Sequence, residues 1–260
     1  MKKKVYIETM GCQMNKLDSE LVACHLKACG YEICDALPEA EVVIFNTCSV
    51  RQHAEEKVIS KIGQLKKDHH QRPQLVVAVI GCMAQRLGQQ LLDTYHQVDI
   101  VCGPGQLHHF SSMLAEVLDR RRQVLSLNDP LETDNLEILD SKRDTDELDR
   151  PFSAFVRVMR GCNKYCHYCV VPYVRGPEQS RPIGNIVAET RRLAENGVKE
   201  ITLLGQTVNS YRFKEGEKTW GLADVIAQIH DIQGLERIRF VTSYPRDFDE
   251  GILRAMADLP

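Results

Sequence analysis

Phe152-Ser-Ala-Phe-Val-Arg-Val-Met159, then Arg-Gly, then Cys162-Asn-Lys-Tyr-Cys166-His-Tyr-Cys169, is the stretch around which the rest of the chain can be ordered. Its first part is an apolar run with β-branched and aromatic residues, the composition of a strand buried in a sheet. Its second part is a loop carrying three thiols at x3 and x2 spacing. Closed structural metal sites use four protein ligands, whereas a four-iron cluster held by three cysteines keeps one iron open to another molecule. Zinc is the competing occupant, with His167 as the fourth ligand. His167 is adjacent to Cys166, however, which makes convergence of both on one ion awkward.

Working back toward the start, strand and helix signals alternate. Val5-Tyr-Ile-Glu-Thr9, Val42-Val-Ile-Phe45, Leu75-Val-Val-Ala-Val-Ile80 and Asp99-Ile-Val-Cys102 read as strands, with helices expected over 18–29, 54–67, 85–96 and 106–122. This is the pattern of a parallel α/β sheet. Three more cysteines, Cys12, Cys48 and Cys82, each stand at the C-terminal end of one of these strands. In open α/β sheets that edge is where ligands bind, so topology could bring together thiols that lie 34 to 36 residues apart. Read one at a time, each could equally be a small buried core residue. Cys24, Cys29 and Cys34 fit that plainer reading. Cys102, also at a strand end, is expected to be structural, with a supporting role as the alternative. Gly103-Pro-Gly105 matches no phosphate-binding signature and reads as a turn.

Forward of the triad, the alternation resumes with a helix over 182–196 and a strand at Glu200–Leu204. A helix over 221–232, a strand over 237–242 and a helix over 248–259 follow. Three βα units are about half of a closed barrel. The expected organisation is an N-terminal α/β domain of Rossmann or flavodoxin type over 1–125, an acidic linker over 126–150, and a partial barrel over 151–260.

Of 260 residues, 43% are hydrophobic and 27% charged, and the net charge is −3. Nine acidic and three basic residues fall between Asn128 and Arg150, so the rest of the chain carries +3. The start has no long apolar run of a signal peptide and no segment approaches the length of a membrane span. Ten cysteines in such a chain point to a reducing cytoplasm, where thiols are more often metal ligands or reactive groups than disulfides.

Several segments together resemble the methylthiotransferase family of radical S-adenosylmethionine (SAM) enzymes. Gly11-Cys-Gln-Met-Asn-Lys-Leu-Asp-Ser-Glu20, Asn46-Thr-Cys-Ser-Val-Arg51 and Gly81-Cys-Met-Ala-Gln-Arg86 are similar to that family's three cluster-binding segments. Arg160 to Gly176 is similar to its radical SAM signature. Ser180-Arg-Pro182, Leu203 to Tyr211 and Thr242 to Phe248 follow in the same order. The resemblance runs from about Val5 to Pro260. It implies a radical-generating 4Fe-4S cluster on Cys162, Cys166 and Cys169, whose open iron takes SAM, and an auxiliary 4Fe-4S cluster on Cys12, Cys48 and Cys82 as sulfur carrier. It also implies that Tyr168 packs beside the SAM adenine and that Gly205, Gln206 and Asn209 contact SAM. The wording of the first two segments is that of the branch acting on tRNA. The implied reaction is methylthiolation at C2 of N6-dimethylallyladenosine beside the anticodon, with SAM as both radical source and methyl donor. Expected partners are that tRNA, an electron donor such as flavodoxin or ferredoxin, and iron–sulfur or sulfur delivery proteins. The same chemistry on a ribosomal-protein side chain or on threonylcarbamoyl adenosine is the alternative, as is an inactive cluster-binding fragment. Family members continue past the point matching Pro260 into further barrel strands and a small tRNA-binding β-domain, so a C-terminally truncated chain is expected.

Overall fold

The computed structural model describes residues 2–128, 137–141, 143 and 151–259. The chain divides into two compact units, one formed by residues up to Arg143 together with Cys166–Arg175, the other by Asp144–Tyr165 and Gly176–Pro260.

The first unit is built in the order β1 (Lys4–Met10), α1 (Gln13–Ala28), β2 (Glu32–Ile33), β3 (Val42–Thr47), α2 (Gln52–Gln71), β4 (Val76–Gly81), α3 (Cys82–Leu87), α4 (Gln89–Thr94), β5 (Ile100–Cys102), α5 (Phe110–Arg120), β6 (Val124–Ser126) and α6 (Glu137–Asp140). Its six strands form one parallel sheet in the order β2-β1-β3-β4-β5-β6. Every residue of β3 and β4 is buried, as expected of Val- and Ile-rich strands covered on both faces. Phe45, Val58, Ile62, Val77, Val79 and Met83 fill one side of that core. Each such side chain contributes roughly 1.5–3 kcal/mol relative to exposure.

The second unit contains β7 (Ser153–Arg157) and β8 (Met159–Arg160). After the segment that packs with the first unit and carries α7 (Val171–Arg175), it continues with β9 (Gln179–Ser180), α8 (Ile183–Glu195), β10 (Glu200–Leu204), β11 (Arg212–Glu215), β12 (Lys218–Gly221), α9 (Leu222–His230), β13 (Arg237–Val241) and α10 (Glu250–Asp258). Here β13, β10 and β7 form a three-stranded parallel sheet with β10 central. Ile201, Leu203, Val156, Ile186, Leu193, Val225 and Ile229 make its core. Pro182 is the N-cap of α8 and Gly197 follows its end at φ +92°, the proline-before, glycine-after arrangement legible in the sequence.

Several boundaries differ from the sequence reading. The first helix begins at Gln13 with Cys12 as its N-cap, a full turn before residue 18. The helix expected over 85–96 is two helices, because Gly88 stands at φ +48° between them. The segment 126–150, expected as a linker, begins inside β6 and includes α6, with Leu139 and Asp140 buried; most of its remainder lies outside the described residues. The expected boundary at Pro151 is also crossed, since Cys166–Arg175 packs with the first unit.

Candidate functional site

Strand order decides what Cys12, Cys48 and Cys82 can do. In a sheet ordered 2-1-3-4-5, the crevice between β1 and β3 is the topological switch point, where helices leave to opposite faces. Met10, Thr47 and Gly81 lie side by side across β1, β3 and β4. Cys12, Cys48 and Cys82 come one or two residues after them, so the three thiols emerge at one edge of three adjacent strands.

Local contacts hold this edge tightly. The Asn15 side-chain amide donates to Asn46 Oδ1 at 2.8 Å. Asn46 Nδ2 donates to the Asn15 carbonyl at 2.8 Å and to Ser19 Oγ at 2.9 Å. A Cβ on Gly11 would lie 2.6 Å from Asn15 Oδ1 and 2.8 Å from Cys48 Cβ, so the backbone approaches there as only glycine permits. Cys48 Sγ accepts from the Val50 N–H at 3.3 Å, and Arg175 Nε donates to Cys82 Sγ at 3.3 Å.

A hydrogen bond from Cys48 holds the Cys12 thiol down at about 5 against the opposing effect of burial, with help from the Arg175 charge and the first N–H groups of α1. The same sharing of one proton, with burial, pushes Cys48 up. Burial also pushes Cys82 up, opposed by Arg175.

None of the ten cysteines is in a disulfide. Among the described residues, no three Cys, His, Asp or Glu side chains are gathered around a point as ligands of a single metal ion. Each thiolate of a four-iron cluster binds its own iron, so cluster cysteines stand farther apart than ligands of one ion. Three thiols at one sheet edge are the donor chemistry that such a cluster takes. Two buried hydroxyls on either side of Cys48, Thr47 Oγ1 and Ser49 Oγ, have no hydrogen-bond partner. A group bearing sulfide acceptors would satisfy them.

The triad is divided between the two units. Cys162 is buried and its N–H donates to the Gly176 carbonyl at 3.1 Å. Gly161, before it, stands at φ +76°, and a Cβ there would lie 1.8 Å from the Pro177 carbonyl oxygen. Lys164 pairs with Asp247 at 2.5 Å, and the Asn163 and Glu178 side chains each accept from the other's backbone N–H, at 3.1 and 3.3 Å. In the first unit Cys166 and Cys169 are half-buried and joined by a turn, the Cys169 N–H donating to the Cys166 carbonyl at 2.9 Å. Tyr168 is 92% exposed, free to pack against a planar ligand.

The expected SAM contacts divide as well. Gln206 Oε1 is buried without a partner, as a group awaiting a ligand would be. Gly205 has Met159 Cγ where a Cβ would come within 2.5 Å. Asn209 is fully buried, and its amide is committed at both ends to Tyr244, donating to the carbonyl and accepting from the N–H, each at 2.7 Å. Its side chain therefore braces the ends of β10 and β13. Asn15, Asn46, Asp18 and Arg175 were not singled out from the sequence. The two asparagines sit inside the quoted cysteine segments, but nothing in spacing connects Asp18 to Arg175.

Residues 4–103 match the family described as "Uncharacterized protein family UPF0004", and residues 156–260 match the radical SAM superfamily. A Rhodopirellula baltica protein named tRNA-2-methylthio-N(6)-dimethylallyladenosine synthase is 46% identical over 267 residues, covering 100% of this chain and 56% of that protein. Proteins of the same name from Sulfurihydrogenibium sp. and Escherichia coli O1:K1 are 43% and 42% identical, covering 57% and 54% of their lengths and 99% and 100% of this chain. The chain thus spans a little over half the length of these curated relatives. Among solved structures, the radical SAM methyltransferase TsrM from Kitasatospora setae, with cobalamin and a 4Fe-4S cluster bound, aligns with a TM-score of 0.58 at 15% identity over 99% of this chain and 59% of that one. The cobalamin-dependent radical SAM enzyme OxsB aligns with a TM-score of 0.54 at 13% identity, covering 92% of this chain and 38% of that one. At such identities the likeness is one of fold.

Proposed function

This chain belongs to the methylthiotransferase family of radical SAM proteins, and we propose that it carries the two cluster sites for methylthiolation of tRNA at C2 of N6-dimethylallyladenosine. The observation that carries this reading is the arrival of Cys12, Cys48 and Cys82 at one edge of three adjacent strands, in a chain that also holds the Cys162/Cys166/Cys169 triad. Two donor sets, each one ligand short of a closed site, suit two separate jobs.

Cys162, Cys166 and Cys169 would hold one 4Fe-4S cluster and Cys12, Cys48 and Cys82 the other. When bound, the first supplies the electron that cleaves SAM to a carbon radical, and the second offers an open iron for the sulfur to be transferred. The chain's own residues prepare both places. Gly161 lets the backbone turn into Cys162 against the Pro177 carbonyl. Tyr168 offers an exposed ring for the adenine of SAM, and Gln206 an unspent buried carbonyl. Asn15 and Asn46 fix the relation of Cys12 to Cys48. A modified base in an anticodon loop is reachable because loop nucleotides can be unstacked at low cost. An electron donor of the flavodoxin or ferredoxin kind and a sulfur delivery protein complete the reaction. Among the described residues no helix is long and apolar enough to cross a membrane. We place the activity in the cytoplasm, where its tRNA is.

Iron and sulfide analysis of anaerobically reconstituted protein tests this. About eight irons per chain, falling to about four when Cys162, Cys166 and Cys169 are all changed to Ala, is the expected result. About four irons, lost completely in that variant, would make Cys12, Cys48 and Cys82 ordinary core residues and remove the sulfur site. Mass spectrometry of tRNA carrying dimethylallyladenosine, threonylcarbamoyl adenosine or plain adenosine then separates the substrates.

A further inference from the structure

Arg175 ends α7, nine residues after Cys166 in the segment that packs with the first unit. Its guanidinium is buried and makes two directed contacts inside that unit. Nη2 donates to Asp18 Oδ2 at 2.8 Å, and Nε donates to Cys82 Sγ at 3.3 Å. Asp18, on α1, is also fully buried. A buried cation requires a partner, and the Asp18 carboxylate is sufficient for that. The contact to sulfur goes beyond charge balance. The planar fork of arginine allows it, since one edge can face a carboxylate while Nε faces a second acceptor.

Arg175 is held in place from behind. The Val174 carbonyl accepts from Asn128 Nδ2 at 3.2 Å. Asn128 in turn donates its N–H to Gln85 Oε1 at 2.8 Å and accepts from the Gly105 N–H at 2.6 Å. Gln85 belongs to α3, the helix that Cys82 opens, so the donor and the thiol it meets share one scaffold.

We propose that Arg175 is a positioning residue for the Cys82 thiolate, aiming its sulfur and setting a fixed positive charge beside whatever iron–sulfur group Cys12, Cys48 and Cys82 hold. This rests on the cluster reading above. Hydrogen bonds to ligating sulfur and nearby positive charge both favour the reduced, more negative state of such a group, and partners of this kind also govern how firmly it is kept.

The test uses the full chain with Cys162, Cys166 and Cys169 changed to Ala, so that only the second set can hold iron. Arg175→Met and Arg175→Lys are made in that background. Midpoint potential is read by redox titration followed by electron paramagnetic resonance, iron loss by transfer to a chelator, and folding by a thermal melt of the metal-free protein. Arg175→Met is expected to lower the one-electron reduction equilibrium about tenfold, a potential about 59 mV more negative, and to release iron several-fold faster. Arg175→Lys, which keeps the charge without the fork, is expected to hold a potential near that of its parent while still releasing iron faster. It carries the test should the Met variant not fold. A parent-like potential and release rate in both variants, or a change confined to the melt, overturns the proposal. A parent that binds no iron at all sinks the cluster reading itself, and the role of Arg175 with it.

Discussion

Asn15 and Asn46 clasp each other across 31 positions of sequence, Asn15 Nδ2 donating to Asn46 Oδ1 and Asn46 Nδ2 donating to the Asn15 carbonyl, both at 2.8 Å. One sits in the first turn of α1, three residues after Cys12. The other sits in β3, two residues before Cys48. Both are fully buried, so neither amide can turn to water instead. Asn46→Ala would take the Asn46 Oδ1 acceptor from the buried Asn15 amide and leave the Ser19 hydroxyl with Thr9 alone, at a cost of about 2–3 kcal/mol. Chemical denaturation should show a lower midpoint with unchanged slope, and reconstitution of the Cys162/Cys166/Cys169→Ala protein should recover less iron. Full iron recovery in the Asn46→Ala form would separate the clasp from the site.

Gly81 makes a second, independent demand on the same edge. It stands at φ +90°, and a Cβ would meet Asn46 Oδ1 at 2.5 Å and the Thr47 carbonyl at 2.9 Å. Gly81→Ala therefore combines left-handed strain of about 1–2 kcal/mol with a displacement of the Asn15–Asn46 clasp. The substitution is expected to cost more than Asn46→Ala, not less, because it strains the backbone into Cys82 as well. A denaturation midpoint equal to that of the unchanged chain would show that the crowding is relieved by a small shift.

What could be read from the sequence follows physical lines. β3 and β4 are continuous apolar runs because both their faces are covered, and such runs declare themselves. Their ends therefore also placed Cys48 and Cys82. β2 is two residues long, and the hairpin of β11 and β12 is mostly exposed, so neither carries a periodic signal. The helix break at Gly88 depends on one backbone angle. Asp18 and Arg175 are 157 positions apart and meet only through tertiary packing. Asn209 reads as a polar residue at a strand end, the usual place for a ligand contact. Only its two bonds to the Tyr244 backbone assign it to bracing.

In the second unit the demanding contact is between Arg181 and Glu189. Both are buried, with Arg181 Nη1 donating to Glu189 Oε2 at 2.7 Å and to the Arg157 carbonyl at 2.6 Å. The Tyr211 hydroxyl closes the group on the Arg181 carbonyl at 2.7 Å. Removing the carboxylate takes the opposite charge from a desolvated guanidinium, so Glu189→Ala should destabilise by about 3–5 kcal/mol. Differential scanning calorimetry should show the loss. A drop of under about 1 kcal/mol, the range of exposed pairs, would mean that water reaches Arg181 in the variant.

Acid dependence should trace in part to Glu200 at the start of β10. The Arg237 guanidinium, donating at 3.0 Å, together with Ser153 at 3.2 Å and the more distant Arg239, holds its carboxyl below the usual carboxylate range, against the opposing effect of partial burial. A carboxyl depressed in the folded state stabilises fully above its unfolded value of about 4.3 and loses that contribution as pH falls through the folded value. Both arginines are largely exposed, so the contribution is screened and amounts to about 0.5–1 kcal/mol at neutral pH. Glu200→Gln should therefore be less stable than the parent at pH 7. The two denaturation curves should converge once the pH is below the folded pKa of Glu200. A gap that stays constant from pH 7 into that acid range would assign the loss to packing or hydrogen bonding rather than to charge.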